Sequence, residues 1–320
     1  MLAGAPEITK EKPVLMKQAL DLALAQSERI ILGKSRQIRL AMACLLARGH
    51  LLIEDIPGVG KTTLAQTLAR VLGLHFQRIQ FTSDLLPADI LGVSVFEQTR
   101  GGFQFHPGPI FAELVLADEV NRASPKTQSA LLEAMEERQV TIDGLTRPLP
   151  NPFFVVATQN PNYQVGTFPL PESQLDRFLM RVDLGYPHAS AERALLKEKD
   201  RRELLSTLSP ALTPADLLKL QNVVGHVQVS DALVEYVLAI VQHTRENPLY
   251  REGLSPRAGL ALRRSAQAWA LLDGRNSVLP EDVQAVLAAV VTHRLQPEDS
   301  GTRADTARMA QQLLEAVPVP

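Results

Sequence analysis

The alternation of apolar and polar positions predicts one local unit with particular clarity. Leu51–Ile53 form an unbroken apolar run, typical of a strand buried on both faces of a parallel sheet. A glycine-rich turn follows, and then Leu64, Leu68 and Val71 recur at the spacing of an amphipathic helix. Gly73 is a favourable residue just beyond the end of such a helix. The pattern therefore predicts a strand, a tight loop and a helix, with helices covering both faces of the sheet.

Three further segments have the pattern of strands. Residues 76–81 form a short strand pattern, and residues 114–122 begin as an apolar run that ends in two adjacent carboxylates. Residues 152–161 are again apolar and end on polar side chains. Because ligands bind at the carboxyl ends of the strands in an open parallel sheet, the polar ends of these segments are the first place to look for a site.

Two β-hairpins are predicted inside this α/β region. In residues 84–111 apolar positions alternate on either side of Arg100-Gly101-Gly102, and in residues 139–149 Asp143-Gly144 has the composition of a tight hairpin turn. Hairpins inserted at the edge of a nucleotide-binding fold more often carry contacts than stability.

Helical patterns occupy the rest of the chain. Residues 14–29 predict an amphipathic helix, and Ser35 is the expected N-cap of a second one. From Pro187 onward strand patterns stop and helix starts recur. These starts are at Ser190, Thr213, Ser230, Ser255 and Pro280. The sequence predicts an α/β fold with a nucleotide-binding core over residues 1–186 and an all-α lid domain with a tail over residues 187–320.

Composition narrows the class of protein. A chain of 320 residues that is 45% hydrophobic can bury a large core and is long enough for two domains. No apolar run approaches the ~20 residues that span a bilayer, and the N-terminus lacks a signal-peptide pattern, so we expect a cytoplasmic protein without a membrane span. The single cysteine, Cys44, lies on an apolar helix face and is expected in the core. A net charge of −2 argues against a surface built to bind nucleic acid.

The glycine-rich turn has the composition of a phosphate-binding loop. The candidate nucleotide-binding residues are Pro57, Gly58, Val59, Gly60, Lys61, Thr62 and Thr63. Lys61 would reach the β- and γ-phosphates, and the Thr62 hydroxyl would bind Mg²⁺. The generic pattern begins with glycine where this chain has Asp55, which we expect to be accepted because aspartate tolerates unusual backbone angles. The alternative is an ordinary glycine-proline turn beside a lysine.

Polar residues at two predicted strand ends supply the remaining chemistry. Asp118 would hold Mg²⁺, and Glu119 would act as general base towards the attacking water. Asn160 would orient that water or detect the γ-phosphate. The plainer alternatives are a solvated Asp-Glu pair and an asparagine that only begins a turn before Pro161.

A short segment upstream is a candidate for the adenine contact. Residues 30–34 are apolar and then end in glycine and lysine, so their backbone could face the edge of a base. An ordinary helix–helix turn explains the same residues equally well.

Several longer stretches resemble, in order and spacing, the MoxR family of AAA+ ATPases, over roughly residues 28–295. The stretches are EDIPGVGKTT, FAELVLADEVNRASPKTQSALLEAMEERQVTIDG, PFFVVATQNP, FPLPESQLDRFLMRVDLGYP and GLSPRAGLAL. The resemblance implies an AAA+ P-loop core, ATP and Mg²⁺ as cofactors, and a homo-oligomeric ring, expected to be a hexamer, with ATP between neighbouring subunits. It also identifies the first hairpin as the helix-2 insert and the second as the pre-sensor-1 hairpin.

The resemblance implies a role for each site residue. Lys61 and Thr62 would be the Walker A pair, Asp118 and Glu119 the Walker B pair, and Asn160 sensor 1. Arg177 would be the arginine finger that reaches a neighbouring subunit, with Arg181, expected at the same subunit edge, as second choice. Arg257 would be sensor 2 on the lid. For each arginine the plainer alternative is a solvated or ion-paired surface residue.

The implied function is remodelling, assembly or activation of a partner protein complex, with metal or cofactor insertion as one form. A partner with a von Willebrand factor A domain and a client complex would accompany the ring. Two alternatives remain: the motor subunit of a metal chelatase, and a nucleic-acid-dependent AAA+ motor. The second would need basic hairpin tips, whereas one predicted tip carries a single arginine, Arg100, and the other an acid, Asp143.

Overall fold

The computed structural model describes residues 11–99, 101–160, 167–197, 201–295 and 303–319. Its centre is a five-stranded parallel sheet in the order β2-β5-β8-β1-β9. The strands are β1 (Leu51–Glu54), β2 (Phe76–Gln80), β5 (Leu114–Asp118), β8 (Phe154–Gln159) and β9 (Met180–Val182). The strands predicted at 76–81, 114–122 and 152–161 are thus confirmed with shorter bounds, whereas β9 was not predicted as a strand.

Both faces of the sheet are covered, as the apolar run at β1 predicts. Leu51 and Ile53 belong to one buried cluster, while Leu52 between them belongs to a second cluster on the other face. The first cluster includes helices α1 (Glu11–Ile30), α2 (Ser35–Leu46) and α3 (Lys61–Val71), and the second includes α4 (Pro87–Leu91) and α5 (Pro125–Glu137). The sheet is therefore the middle layer of a three-layer core.

Two hairpins lie outside the sheet, where the sequence predicts them. The first pairs β3 (Gly92–Glu97) with β4 (Gly102–Pro107), and the second pairs β6 (Gln139–Ile142) with β7 (Leu145–Pro148). Asp143 and Gly144 at the second turn both have positive φ, 52° and 73°, as a tight hairpin turn requires. The first turn includes Arg100, which is outside the described residues.

The second part of the chain is helical, again as predicted. A short α6 (Glu172–Leu175) precedes β9, and the helices that follow are α7 (Ala189–Lys197), α8 (Arg201–Thr207), α9 (Pro214–Val224), α10 (Asp231–Glu246), α11 (Pro256–Leu272), α12 (Pro280–Val291) and α13 (Arg303–Ala316). Buried side chains of α9 to α13 join the same cluster as α1, α2 and α3. The lid helices therefore pack against the first face of the core instead of forming a core of their own.

Helix capping follows the sequence at three of the predicted starts. Thr213, Ser230 and Ser255 each accept a hydrogen bond from a backbone N–H of the first turn of their helix, and Ser124 does the same for α5. The prediction for α2 was wrong: Ser35 is its first helical residue and the residue before it is the N-cap. Cys44 is fully buried on α2, as predicted, and burial raises the pKa of its thiol.

Candidate functional site

The glycine-rich loop connects β1 to α3 in the conformation of a phosphate-binding loop. Gly58 and Gly60 have φ of 87° and 98°, a region that side chains other than glycine rarely adopt. A Cβ atom at either position would meet no atom within 4 Å, so the backbone angle, and not a lack of space, requires glycine. Lys61 begins α3, and the free N–H groups at that helix start are suited to an anion. Thr62 and Thr63 follow in the same first turn.

Lys61 connects this loop to the end of β8. Its side chain is almost buried, and its ammonium donates to the backbone oxygen of Asp55 at 2.5 Å and to Oδ1 of Asn160 at 3.2 Å. Asn160 immediately follows β8 and is itself buried. Two residues that are 99 positions apart in the chain are thereby brought together, as the sequence predicts for strand ends at one edge of a sheet.

The explanation given for Asp55 from the sequence was wrong. Its φ is not positive, so the loop does not use its tolerance of unusual angles. Its carboxylate is buried and accepts three backbone hydrogen bonds: from Ile56 at 2.8 Å, from Leu184 at 2.7 Å and from Gly185 at 2.6 Å. The aspartate is therefore an anchor between the loop and the segment after β9.

Asp118 lies at the end of β5 with hydrogen bonds to both carboxylate oxygens. Its Oδ1 accepts from the hydroxyl of Thr158 at 2.5 Å, and its Oδ2 accepts from Nη2 and Nε of Arg78 at 2.6 and 3.1 Å. Arg78 on β2 was missed from the sequence. A carboxylate with only 10% of its side chain exposed needs such a cation when no metal ion is bound.

Glu119 has the backbone of a constrained residue. Its φ of 59° is in the left-handed region, which costs a non-glycine residue of order 1–3 kcal/mol and is concentrated at functional sites. Its N–H donates to Oγ1 of Thr158, and its carboxylate accepts from Nδ2 of Asn160 at 3.0 Å, from Gln80 at 3.1 Å and from Arg122 at 2.9 Å. The side chain is thus held at the strand ends and pointed towards the residues around Lys61.

Asn160 lies between the lysine and the glutamate. Its Oδ1 accepts from Lys61 while its Nδ2 donates to Glu119. The structure therefore brings together the predicted Lys61, Asp118, Glu119 and Asn160 at the carboxyl edge of the sheet. The missed partners Arg78 and Gln80 are two residues apart on β2, so they point to the same side of that strand. This alternation was visible in the sequence, but the position of β2 beside β5 was not.

The predicted arginines lie elsewhere. Arg177 follows α6 just before β9, and its Nε is 3.2 Å from Oε2 of Glu136 near the end of α5. Arg257, in the first turn of α11, places Nη2 2.5 Å from the other oxygen of the same carboxylate. Because α5 begins beside the carboxyl ends of the strands and ends beside their amino ends, both arginines lie at the amino edge of the sheet. The structure does not bring Arg257 to the phosphate loop of its own subunit.

Arg181 does not share that edge, contrary to expectation. It lies on β9, and its Nη1 is 3.1 Å from Oε2 of Glu54, the last residue of β1. The side chains of Arg181 and Glu54 are 15% and 14% exposed. Arg177 and Arg181 are thus directed to opposite ends of β1, and Arg181 is an internal ion-pair residue.

A pocket of about 280 Å³ marks the amino edge. Besides Arg177, Arg257 and Glu136, it is lined by Arg48, Arg138, Asp176, Arg264 and Arg294. Burial, together with the neighbouring guanidinium groups of Arg48 and Arg264, lowers the pKa of Arg138. The pocket is lined by six arginines and two acids, so the excess of positive charge suits this edge to an anion.

His50, the residue before β1, lines this pocket and connects the sheet to α5. Its Nδ1 accepts from the backbone N–H of Val155 at 3.0 Å, and its Nε2 lies 3.3 Å from the carbonyl oxygen of Met135. Burial lowers its pKa to about 4, so the ring is neutral at pH 7. The neutral ring ties α5, and with it Glu136, to the sheet.

The carboxyl edge has oxygen ligands suited to Mg²⁺ and hydrogen-bond donors suited to a nucleoside triphosphate. Mg²⁺ prefers one or two protein oxygens and keeps several waters, and Asp118 and the Thr62 hydroxyl are the groups that would hold it here. Within the described residues, no group of three or more His, Cys, Asp or Glu side chains is placed to hold a metal ion by itself. The same part of the chain includes no helix long and apolar enough to cross a membrane.

Comparisons with known proteins agree with this geometry. The AAA family of ATPases associated with various cellular activities matches residues 50–180, and an AAA lid domain matches residues 242–315. A solved structure named "putative ATPase" from Cytophaga hutchinsonii superposes with a TM-score of 0.88 at 35% identity, covering 97% of this chain and 98% of that one. The fold and the site thus define a P-loop ATPase of the AAA+ class.

Sequence relatives define the family more closely. The chain is 42% identical to the chaperone MoxR1 of Mycobacterium tuberculosis, over 86% of this chain and 75% of that protein. It is 34% identical to the protein MoxR of Paracoccus denitrificans, over 83% and 85%, and 46% identical to YeaC of Bacillus subtilis, over 94% and 95%. The chain belongs to the MoxR family of AAA+ ATPases, and the predicted α/β AAA+ core with a helical lid is confirmed.

Proposed function

We propose that this chain hydrolyses ATP in a ring and uses the energy to remodel, assemble or activate a partner protein complex. The observation that carries the proposal is the hydrogen-bonded series Lys61, Asn160 and Glu119 at the carboxyl edge of the sheet. Phosphoryl transfer to water needs a lysine that binds the phosphates, an amide that orients the attacking water and a carboxylate that accepts the proton of that water.

The binding roles follow from position. The loop N–H groups around Gly58 and Gly60 receive the phosphates, and Lys61 neutralises their β/γ charge. Thr62 and Asp118 would hold Mg²⁺, which would supply charge neutralisation when bound. Arg78 would then share the Asp118 carboxylate or yield it. The segment at residues 30–34 contacts the adenine; its Lys34 donates to the carbonyl oxygen of Tyr186 at 2.8 Å, close to the loop anchored by Asp55.

The chemical step requires a base and a positioned water. Glu119 accepts the proton of the attacking water. Asn160 donates a hydrogen bond from Nδ2 to Oε1 of Glu119, and in this position it orients both the carboxylate and the water. The constrained backbone of Glu119 favours one orientation of this group, so little reorganisation is needed as charge develops.

The ring proposal follows from the arginines. Arg177 and Arg257 share Glu136 at the amino edge, on the far side of the sheet from their own Lys61. In a head-to-tail ring the amino edge of one subunit meets the carboxyl edge of the next, and a hexamer is the expected closed form. Arg177 then acts as the finger in trans, and Arg257 reads the same neighbouring γ-phosphate from the lid as sensor 2.

The partners are inferred from the family. Because a relative is a chaperone, we infer that the client is a protein complex. The proposal also includes a partner with a von Willebrand factor A domain, and metal or cofactor insertion as one form of the activity. The site of action is the cytoplasm. The metal-chelatase and nucleic-acid alternatives differ in partners and not in the ATPase site. Co-purification with native neighbours distinguishes the three.

A pair of variants tests the ATPase assignment. Glu119→Gln keeps the shape of the side chain and removes the base, so we expect Mg·ATP binding with turnover lowered roughly 10²–10⁴-fold. Lys61→Ala is its counterpart and should abolish binding of a fluorescent ATP analogue, because the fixed charge of the loop is lost. Wild-type turnover in Glu119→Gln, or unchanged affinity in Lys61→Ala, would contradict the proposal.

A further inference from the structure

The anchor formed by Asp55 is a feature that ATP binding alone does not require. The generic loop has glycine at this position, and glycine would supply none of the three backbone hydrogen bonds that the Asp55 carboxylate accepts. A buried carboxylate is costly unless it is compensated, and here the compensation comes mainly from Leu184 and Gly185, about 130 residues further along the chain. The structure thus uses a charged group for a contact between two distant segments.

The segment on the receiving side is where the lid begins. Leu184 and Gly185 follow β9, and α7, the first lid helix, starts at Ala189. Gly185 has a φ of 62°, a backbone conformation that favours glycine. The ammonium of Lys34 holds the next residue, Tyr186, by its carbonyl oxygen. The connection between core and lid is therefore fixed by two buried charged side chains from the core.

The opposite end of the anchor is the phosphate-binding lysine. The backbone oxygen of Asp55 accepts from Lys61 at 2.5 Å, while the Asp55 carboxylate holds Leu184 and Gly185. A phosphate bound in the loop competes with that carbonyl oxygen for the lysine ammonium, since charged acceptors form the stronger hydrogen bonds. One residue thus contacts both the group that detects phosphate and the segment that leads into the lid.

We propose that Asp55 is a positioning residue that transmits nucleotide occupancy at Lys61 to the core–lid connection at residues 184–186. The inference rests on the proposed ATPase function. Binding of the triphosphate redirects Lys61 away from the Asp55 carbonyl, and the anchored carboxylate carries the resulting change of the loop backbone to Leu184 and Gly185. The lid then responds to ATP in its own subunit through Asp55, and to ATP in the neighbouring one through Arg257.

The test compares Asp55→Gly with the wild type. Glycine restores the generic loop, so affinity for a fluorescent ATP analogue should be nearly unchanged, whereas the contact to residues 184–186 is lost. In the wild type we expect ATP to slow hydrogen exchange of the Leu184 and Gly185 amides by about fivefold or more, and in Asp55→Gly we expect no effect of ATP on these amides. ATP turnover of the variant should fall by about tenfold or more, with little change in KM.

Two further variants distinguish positioning from loss of stability. Asp55→Asn retains one oxygen acceptor without the charge and should be intermediate in both readouts. Asp282→Asn is the matched control, because Asp282 is also buried and also accepts a backbone N–H, from Leu279 at 2.8 Å, but lies in the lid away from the loop. It should lower the unfolding temperature and leave the ATP effect on the Leu184 and Gly185 amides intact.

The outcomes separate this inference from the proposed function. A persistent ATP effect on the two amides in Asp55→Gly, with wild-type turnover, would show that Asp55 only closes the loop. Loss of nucleotide binding in Asp55→Gly would show that the residue acts on the pocket itself, and would overturn the inference equally. A wild type that binds no nucleotide would instead overturn the ATPase assignment.

Discussion

The two edges of the central sheet carry opposite chemistry. At the carboxyl edge Asp118 and Glu119 are held by neighbouring donors around one buried lysine. At the amino edge Arg177 and Arg257 share one glutamate, and Arg138 lies among further arginines. One edge has the groups proposed to bind a magnesium-bound triphosphate, whereas the other presents arginines that are remote from the phosphate loop of their own subunit.

This difference supports the proposal that the catalytic site is divided between subunits. A single chain includes the lysine, the acids and the asparagine, but Arg177, the proposed arginine finger, is paired with Glu136 at the other edge. The ion pairs with Glu136 keep Arg177 and Arg257 together in the isolated subunit, and a neighbouring γ-phosphate would compete with that carboxylate for both. Each prediction below separates one edge from the other.

The largest expected effect is at the amino edge. Arg177→Ala should leave ATP binding by the isolated subunit nearly intact, because Arg177 is remote from its own phosphate loop. Turnover in the assembled protein should fall by roughly 10³–10⁵-fold, the range known for the loss of an arginine finger. Steady-state phosphate release and equilibrium binding of an ATP analogue measure the two quantities.

Arg181→Ala is the matched control for that experiment. It removes an arginine four positions away that is paired with Glu54 inside the subunit. We expect a loss of stability and a far smaller loss of turnover. If the two variants lose turnover equally at equal stability, the distinction between the finger and the internal ion pair is wrong.

The smallest expected effect concerns the floor of the amino-edge pocket. The folded-state pKa of His50 is lowered from 6.5 to about 4, so the stabilising contribution of its neutral ring is complete above pH 6.5 and is lost as the pH falls towards 4. Between pH 7 and pH 5 this amounts to about 2 kcal/mol of unfolding free energy. Urea unfolding of the wild type and of His50→Gln at both pH values measures it.

Comparing the wild type with His50→Gln separates the contribution of His50 from that of other groups that titrate in this range. His293 is buried as well, and burial lowers its pKa in the same direction, but it is common to both proteins. The variant should be less stable at pH 7 and lose less on acidification. Parallel pH dependences in the two proteins would contradict the account of His50.

The parts of the site that were predictable are those encoded locally. The strand, the glycine turn and the helix that place Lys61 are continuous in sequence, and the acids at residues 118–119 end an apolar strand. The local periodicity of apolar residues and the composition of the turns are sufficient to predict these elements. Asn160 could be added because carboxyl ends of parallel strands meet at one edge.

The parts that were missed depend on distant partners. Asp55 acquires its role from Leu184 and Gly185, and Arg78 acquires its role from the order of strands that places β2 beside β5. Strand β9 is only three residues long, too short for a periodic pattern to predict. The location of Arg257 beside Arg177 depends on how the lid packs, which no local pattern specifies.

The measurement that tests the divided site most directly is a mixing experiment. Arg177→Ala has an intact pocket without a finger, and Lys61→Ala has the finger without a pocket, so each alone should be inactive. In an equimolar random ring about a quarter of the interfaces join an intact pocket to an intact finger, and ATP hydrolysis should partly recover. If native mass spectrometry shows mixed rings and hydrolysis does not recover, Arg177 does not act across the subunit interface.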